Sequence, residues 1–334
     1  MKGSVLILSL CIALSLMVQA MAKSPKGTEQ GLVPARPAVH MASMTTEKTK
    51  PAFDDKRIEV NLASRLLALY QGDVRIRMYP VAPGRPDTPT PLGWRKVVSM
   101  EINPDWIDPE TGIVVPTGPG NPLGYRWIGI GGNYGIHGTN RPGSIGKYAS
   151  HGCMRMYEND VEDLFSHIVK GIPVDIIYER VIVEKAQDHT VLYYIYPDGY
   201  RRQPLTTKSV RKKLDAFGVS PFVTDEELAR AIRYSSGEPH RTAQVYELAV
   251  GNKKLAARAY GKNGQIMIPV FPVAKAAGIP ISWSPTWQEI RSSFGRVSGM
   301  SLKGRIYIDA EDLVKVLPLI GRLDGGTYQI TEAQ

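Results

Sequence analysis

IHGTNRPGSIGKYASHGCMRM, residues 136–156, holds two of the six histidines in the chain, one of its two cysteines and two arginines. A thiol with a pKa near about 8.5 is mostly protonated at neutral pH, so a cysteine nucleophile needs an imidazole or a cation beside it. Three nearby side chains qualify: His137, His151 and Arg155. His151 shares a local turn with Cys153. His137 instead ends a predicted strand that can run alongside the cysteine, which favours it as the general base. Gly138 lets the backbone fold close, so that a carbonyl accepts from the far ring nitrogen and fixes the tautomer, the role a carboxylate plays in other triads. Gly152 permits a tight turn whose amides bind an oxyanion. The same residues admit two other readings: an inert buried cysteine with structural histidines, and a zinc site on His137, His151 and Cys153. The zinc reading lacks a CxxC or HExxH frame and a fourth ligand.

On the C-terminal side, DVEDLFSHIVK (160–170) predicts a helix capped by Asn159, with Glu162 at capping-box spacing and Gly171 as the stop. His167 on it reads as a half-buried packing residue. PVDIIYERVIVE (173–184) predicts a strand that closes this part of the chain. Upstream, RIEVNLASRLLALYQGDVRIRMYPVA (57–82) reads as a meander of three short strands, with turns at Ala63-Ser64 and Gly72-Asp73. The loop PGRPDTPTPLG (83–93) precedes a predicted strand, WRKVVSMEI (94–102). A long Pro- and Gly-rich loop then runs to Tyr125, a length usually reserved for function. RWIGIGG (126–132) follows as a strand. Residues 57–184 are therefore expected to form a mainly β catalytic domain with one helix.

Beyond Glu184 the character changes: a strand-like VLYYIYP, then helices predicted at 206–218 and 224–237, the second with Thr224 and Glu227 at capping-box spacing. GQIMIPVFPVAKAAG (264–278) repeats as GRIYIDAEDLVKVLP (304–318). Two copies of a strand and a short helix suggest one small α+β domain rather than a solenoid, which needs at least three repeats. The expected organisation is a mixed connecting segment over 185–240 and an α+β accessory domain over 241–331. The basic run of Lys208, Arg211, Lys212 and Lys213 reads as a solvated helix face, and Trp283 and Trp287 as core packing.

At the other end, Lys2, the apolar run VLILSLCIALSLMV (5–18) and Ala20-Met21-Ala22 read as a signal peptide over 1–22, the run being too short for a membrane span. A Pro-punctuated flexible linker is expected over 23–56. Cleavage removes Cys11 and leaves Cys153 as the one thiol, with no internal disulfide possible. The formal charge of +9 points to an anionic partner. Export makes nucleic acid improbable and favours anionic wall polymers, with the protein in the periplasm or on the extracytoplasmic face and no transmembrane segment once the signal is removed.

The 136–156 stretch resembles the active-site signature of the L,D-transpeptidases of the bacterial cell wall, of the YkuD type. TPTPLGW (88–94), PDW (104–106), RWIGI (126–130) and GIPVDI (171–176) fall in the family's order. The resemblance implies a β-sandwich with one capping helix. It also implies Cys153 as acyl-accepting nucleophile, His137 as base and the Gly138 carbonyl as orienting group. Ser150, His151 and Gly152 would shape the turn and oxyanion site, and Arg155 would organise the site or meet a substrate carboxylate. The implied substrates are peptidoglycan stem peptides, with no cofactor. Residues 246–330 resemble, less specifically, the N-terminal-like stalk domain of copper amine oxidases. His240 is the last histidine, so no metal is expected there.

Overall fold

The computed structural model describes residues 55–108 and 110–333. The signal peptide predicted over 1–22 and all but the last two residues of the linker predicted over 23–56 lie outside them. Strands β1 (Lys56–Asn61), β2 (Leu66–Gln71) and β3 (Val74–Pro80) form an antiparallel meander, turning where Ala63-Ser64 and Gly72-Asp73 stand. Next come β4 (Gly93–Lys96), β5 (Ser99–Ile102), a small hairpin of β6 (Trp106–Ile107) and β7 (Val114–Val115), β8 (Arg126–Gly131), β9 (Tyr134–His137) and β10 (Met154–Arg155). Helix α1 (Glu158–His167) and β11 (Pro173–Ile177) complete this part.

Apart from the β6–β7 hairpin, these strands make two sheets. One runs β3-β2-β1-β11-β4 and the other β10-β9-β8-β5. Period-two alternation gives each sheet an apolar face: Ile58, Val60, Val174 and Ile176 from the first, Ile128, Ile130, Ile136 and Met154 from the second, all in one core with Val161 and Leu164 of α1. The result is a sandwich with a single helix in the β-rich part.

The structure departs from the sequence reading at three boundaries. WRKVVSMEI is not one strand: β4 belongs to the first sheet and β5 to the second, the chain crossing between them at Val97-Val98. PVDIIYERVIVE likewise divides, β11 staying in the sandwich while β12 (Val181–Lys185) opens a different sheet. The helix starts two residues before the expected DVEDLFSHIVK and takes Tyr157, not Asn159, as its N-cap. The Glu158 carboxylate explains the early start, because it accepts from the backbone amides of Tyr125 (3.1 Å) and Thr139 (2.5 Å) and so draws the chain into helix.

From Val181 onward, β12 pairs with β13 (Thr190–Ile195) and β13 with β14 (His240–Val250). That sheet continues through β15 (Lys253–Lys262) and β16 (Gln265–Pro269), so it runs unbroken past residue 240. Helices α2 (Thr207–Asp215) and α3 (Asp225–Tyr234) cover part of it, each opened by a threonine capping box, Thr206 with Ser209 and Thr224 with Glu227. The repeated segments each form a strand leading into a short helix, and their strands pair antiparallel with Ile268 opposite Ile308. Trp283 packs against the core there, but Trp287 stands 70% exposed. Among the described residues no helix is long and apolar enough to cross a membrane.

Arg180 pins the passage from sandwich to second sheet. It is buried, and its guanidinium donates to Tyr196 O (2.8 Å), Gln203 O (2.6 Å) and Ser235 Oγ (2.9 Å). A buried fork with three acceptors leaves them all unsatisfied when removed. Arg180→Ala is therefore expected to destabilise the protein by about 3 kcal/mol, and Arg180→Lys to restore little, because one ammonium cannot span the three acceptors. Denaturant titration measures this, and an Ala variant as stable as the parent would refute the pinning role.

Candidate active site

Two residues of parallel pairing assemble the site. β10 lies against β9 with Met154 opposite Ile136 and Arg155 opposite His137. Side chains alternate faces along a strand. Met154 and Ile136 are fully buried in the sandwich core. His137, Arg155 and, one step before β10, Cys153 line a cavity of about 620 Å³ on the opposite face.

Trp127 of β8 and the β6–β7 hairpin, through Trp106 and Ile107, provide other walls. The hairpin is held by fully buried Asn121, whose Nδ2 donates to Pro104 O (2.8 Å) and Val115 O (3.1 Å). The long loop foreseen from its length thus borders the site. Glu101, Asp105, Asp108 and Glu110 lie on the same cavity, so its lining carries carboxylates as well as the cation of Arg155.

The turn before Cys153 is locked from two sides. Gly152 sits at φ +120°, where a side chain would be strained and would also collide with the Tyr134 ring. Ser150 accepts from Gly152 N (3.0 Å) and donates to Cys153 O. The Gly152 amide is therefore committed within the turn rather than aimed at a ligand. Behind the turn, fully buried Thr90 donates to Gly152 O (2.8 Å) and accepts from Gly84 N (2.9 Å), while Tyr200 OH donates to Gly84 O (2.8 Å). His151 is exposed at the cavity margin.

His137 Nδ1–H donates to Gly138 O at 2.7 Å, and the Trp127 indole stacks on the imidazole with centroids 5.7 Å apart. Burial, reinforced by the Arg155 charge, pushes the His137 pKa down to about 4 against the opposing pull of the Gly138 and Leu123 carbonyls. Burial also pushes the Cys153 thiol above its ordinary value, despite the Gly135 amide and Arg155 favouring the thiolate. The sequence reading required neighbours that favour the charged sulfur. In the structure desolvation outweighs them, so both partners are neutral at neutral pH. Arg155 is half-buried and makes no ion pair among the described residues, and its pKa is lowered mainly by burial. No three His, Cys, Asp or Glu side chains converge as a metal site among the described residues.

All seven residues singled out from the sequence thus fall on two neighbouring segments, 137–138 and 150–155. His167 lies elsewhere, on α1 against Asp163 and Arg77. Sequence reasoning assigned no part to Trp127, Thr90, Asn121 or Glu158. RWIGI and TPTPLGW carried the first two as motif letters. Nothing local marked Glu158, whose partners are backbone amides 33 and 19 residues away, or the reach of Asn121 to Pro104 O, 17 residues back.

A family model for the L,D-transpeptidase catalytic domain, YkuD, matches residues 55–176. The relative named L,D-transpeptidase YkuD in Bacillus licheniformis is 35% identical over 159 residues, covering 47% of this chain and 85% of its own. YqjB of Bacillus subtilis, of the same designation, is 37% identical over 42% of this chain and 83% of its own. Escherichia coli YbiS is 31% identical over 55% and 67%. Among solved structures, an L,D-transpeptidase from Mycobacterium smegmatis aligns with a TM-score of 0.32 and 18% identity, covering 36% of this chain and 58% of that one. The catalytic domain from E. faecium L,D-transpeptidase aligns with a TM-score of 0.32 and 26% identity, over 37% and 97%. With that identity sustained across most of the Bacillus relatives' length, the chain belongs to the YkuD family of L,D-transpeptidases.

Proposed function

We propose that this protein cross-links peptidoglycan stem peptides by two-step acyl transfer, with Cys153 as nucleophile, His137 as general base and the Gly138 carbonyl as orienting group. The observation that carries the reading is the β9–β10 register, which puts thiol, imidazole and guanidinium on one cavity. With Nδ1–H given to Gly138 O, the free lone pair of His137 is on Nε2, the nitrogen available to take a proton.

In the first step Cys153 Sγ attacks the carbonyl of the third, diamino-acid residue of a tetrapeptide stem as its proton passes to His137. The resulting imidazolium returns the proton to the leaving amine, and D-alanine departs to leave a thioester. An amine of a second stem then gives its proton to His137 and attacks the thioester, and the departing sulfur recovers the proton. Starting from a neutral pair means no charge is stranded in the buried site before substrate arrives. Ser150 and Gly152 hold the turn that presents the sulfur, and His151 borders the substrate channel. Arg155, without an internal carboxylate, suits a stem-peptide carboxylate, and the four cavity carboxylates suit its amines. Such substrates place the protein outside the cytoplasmic membrane, and its +9 charge suits an anionic wall.

Incubation with purified tetrapeptide muropeptides is expected to release D-alanine and form dimers, and Cys153→Ala to abolish both by mass spectrometry. Release without dimers would point to water as the acceptor. No turnover and no thioester from folded protein would overturn the reading. The neutral pair makes a second prediction: alkylation of Cys153 by iodoacetamide should be slow at neutral pH and still rising beyond the ordinary thiol value of 9.0. A rate already at plateau at neutral pH would mean a preformed thiolate–imidazolium pair. The same burial bears on stability. His137 has a lower pKa folded, about 4, than unfolded, 6.5, so its contribution is present above 6.5 and is lost as pH falls toward 4. His137→Asn should flatten the acid-side loss of stability in that window, and an unchanged slope would show that other groups dominate it.

A further inference from the structure

Glu158 has no part in the chemistry described so far, yet its carboxylate ends one peptide group away from the imidazole. Its Oε1 accepts from Thr139 N at 2.5 Å, and Oε2 from Tyr125 N at 3.1 Å. The Thr139 N–H and the Gly138 C=O belong to the same planar amide. At the other end of that amide, Gly138 O accepts from His137 Nδ1 at 2.7 Å. The order is therefore carboxylate, amide N–H, amide C=O, imidazole N–H.

We propose that Glu158 is a positioning residue for His137, acting through the 138–139 peptide as the carboxylate of a triad with one amide interposed. Hydrogen bonds in series polarise one another, and one to an ionised acceptor is the stronger kind. The carboxylate withdraws the amide hydrogen and makes Gly138 O a better acceptor, which holds the imidazole as the Nδ1–H tautomer and steadies the imidazolium formed during attack. Its position at the first turn of α1 favours the negative charge. The surrounding sequence leaves it room: a methyl at Gly138 or at Gly124 would overlap the carboxylate. Oε2 on Tyr125 N ties the amide to the entry of β8, so the carboxylate fixes the loop leaving β9 against the strand that carries Trp127.

The inference rests on His137 being the base. Its test has an arm that needs no turnover. Protein labelled with 15N-histidine is compared with Glu158→Gln, which keeps the side chain's shape without the charge, and with Glu158→Ala. Glu162→Gln is the control, a carboxylate one turn further along α1 that pairs with Arg126 at 3.2 Å. Long-range 1H–15N spectra are expected to show His137, identified by its loss in His137→Gln, as the pure Nδ1–H tautomer in the parent and control and as a mixture in both Glu158 variants. On tetrapeptide donor, kcat should fall about 10- to 100-fold with KM unchanged, less in Gln than in Ala. An unchanged tautomer in Glu158→Gln overturns the proposal, whether or not kcat falls, because a lower kcat alone would then report packing. If the parent itself does not turn over tetrapeptide, the mechanism fails while the tautomer spectra still decide the role of Glu158.

Discussion

Everything chemical in this protein hangs on the pairing of β9 with β10, two strands that share only two residue pairs. So short a ladder cannot hold itself, and the structure supplies the missing restraint from outside. Met154 and Ile136 anchor it by burial in the sandwich core. Ala82 exchanges backbone hydrogen bonds with Arg155, at 2.9 and 3.0 Å, on the far side of β10. Met156 N reaches back to His137 O at 2.8 Å. A one-residue slip would send His137 into the core and Ile136 into the cavity, so these contacts define the site as much as the functional side chains do.

The electrostatic character of the site follows from that placement. Groups set against a sandwich core lose water, and lost hydration penalises whichever form is charged. The thiol is pushed up and the imidazole down, which widens the gap between them and keeps the resting pair neutral. The Arg155 cation acts in opposite directions on the two charged forms, helping the thiolate and hindering the imidazolium. The net effect is a resting site that holds its proton on sulfur.

How much of this was legible in the sequence depended on whether the signal was local. The meander over 57–82, the threonine cap of α3 and the repeated strand-and-helix segments each rest on residues within a few positions of one another, and each could be read. Cys153, His137 and Arg155 stood out because side chains of those types crowd a short Gly- and Ser-rich stretch. The splitting of WRKVVSMEI and PVDIIYERVIVE between sheets was invisible, since alternation looks the same whichever sheet receives the strand. The N-cap fell on Tyr157 rather than Asn159 because Glu158 answers to amides at 125 and 139, and no local pattern encodes a long-range partner. The thiol's direction of shift escaped for the same reason: neighbours can be read from a sequence, but depth of burial cannot.

Tyr200 ties the two parts of the chain together at the back of the site. It stands beyond the stretch matched by the family model, in the part of the chain that leads toward α2, yet its hydroxyl holds Gly84 O and so backs the Thr90 contact to the turn before Cys153. The seam between the two parts of the chain therefore passes directly behind Cys153 rather than through a neutral linker. A different C-terminal module grafted after residue 176 would arrive without that hydroxyl and leave a buried carbonyl unsatisfied at the back of the site. Gly84, Thr90 and Tyr200 thus act as one hydrogen-bonded set that couples the two parts of the chain at the back of the site.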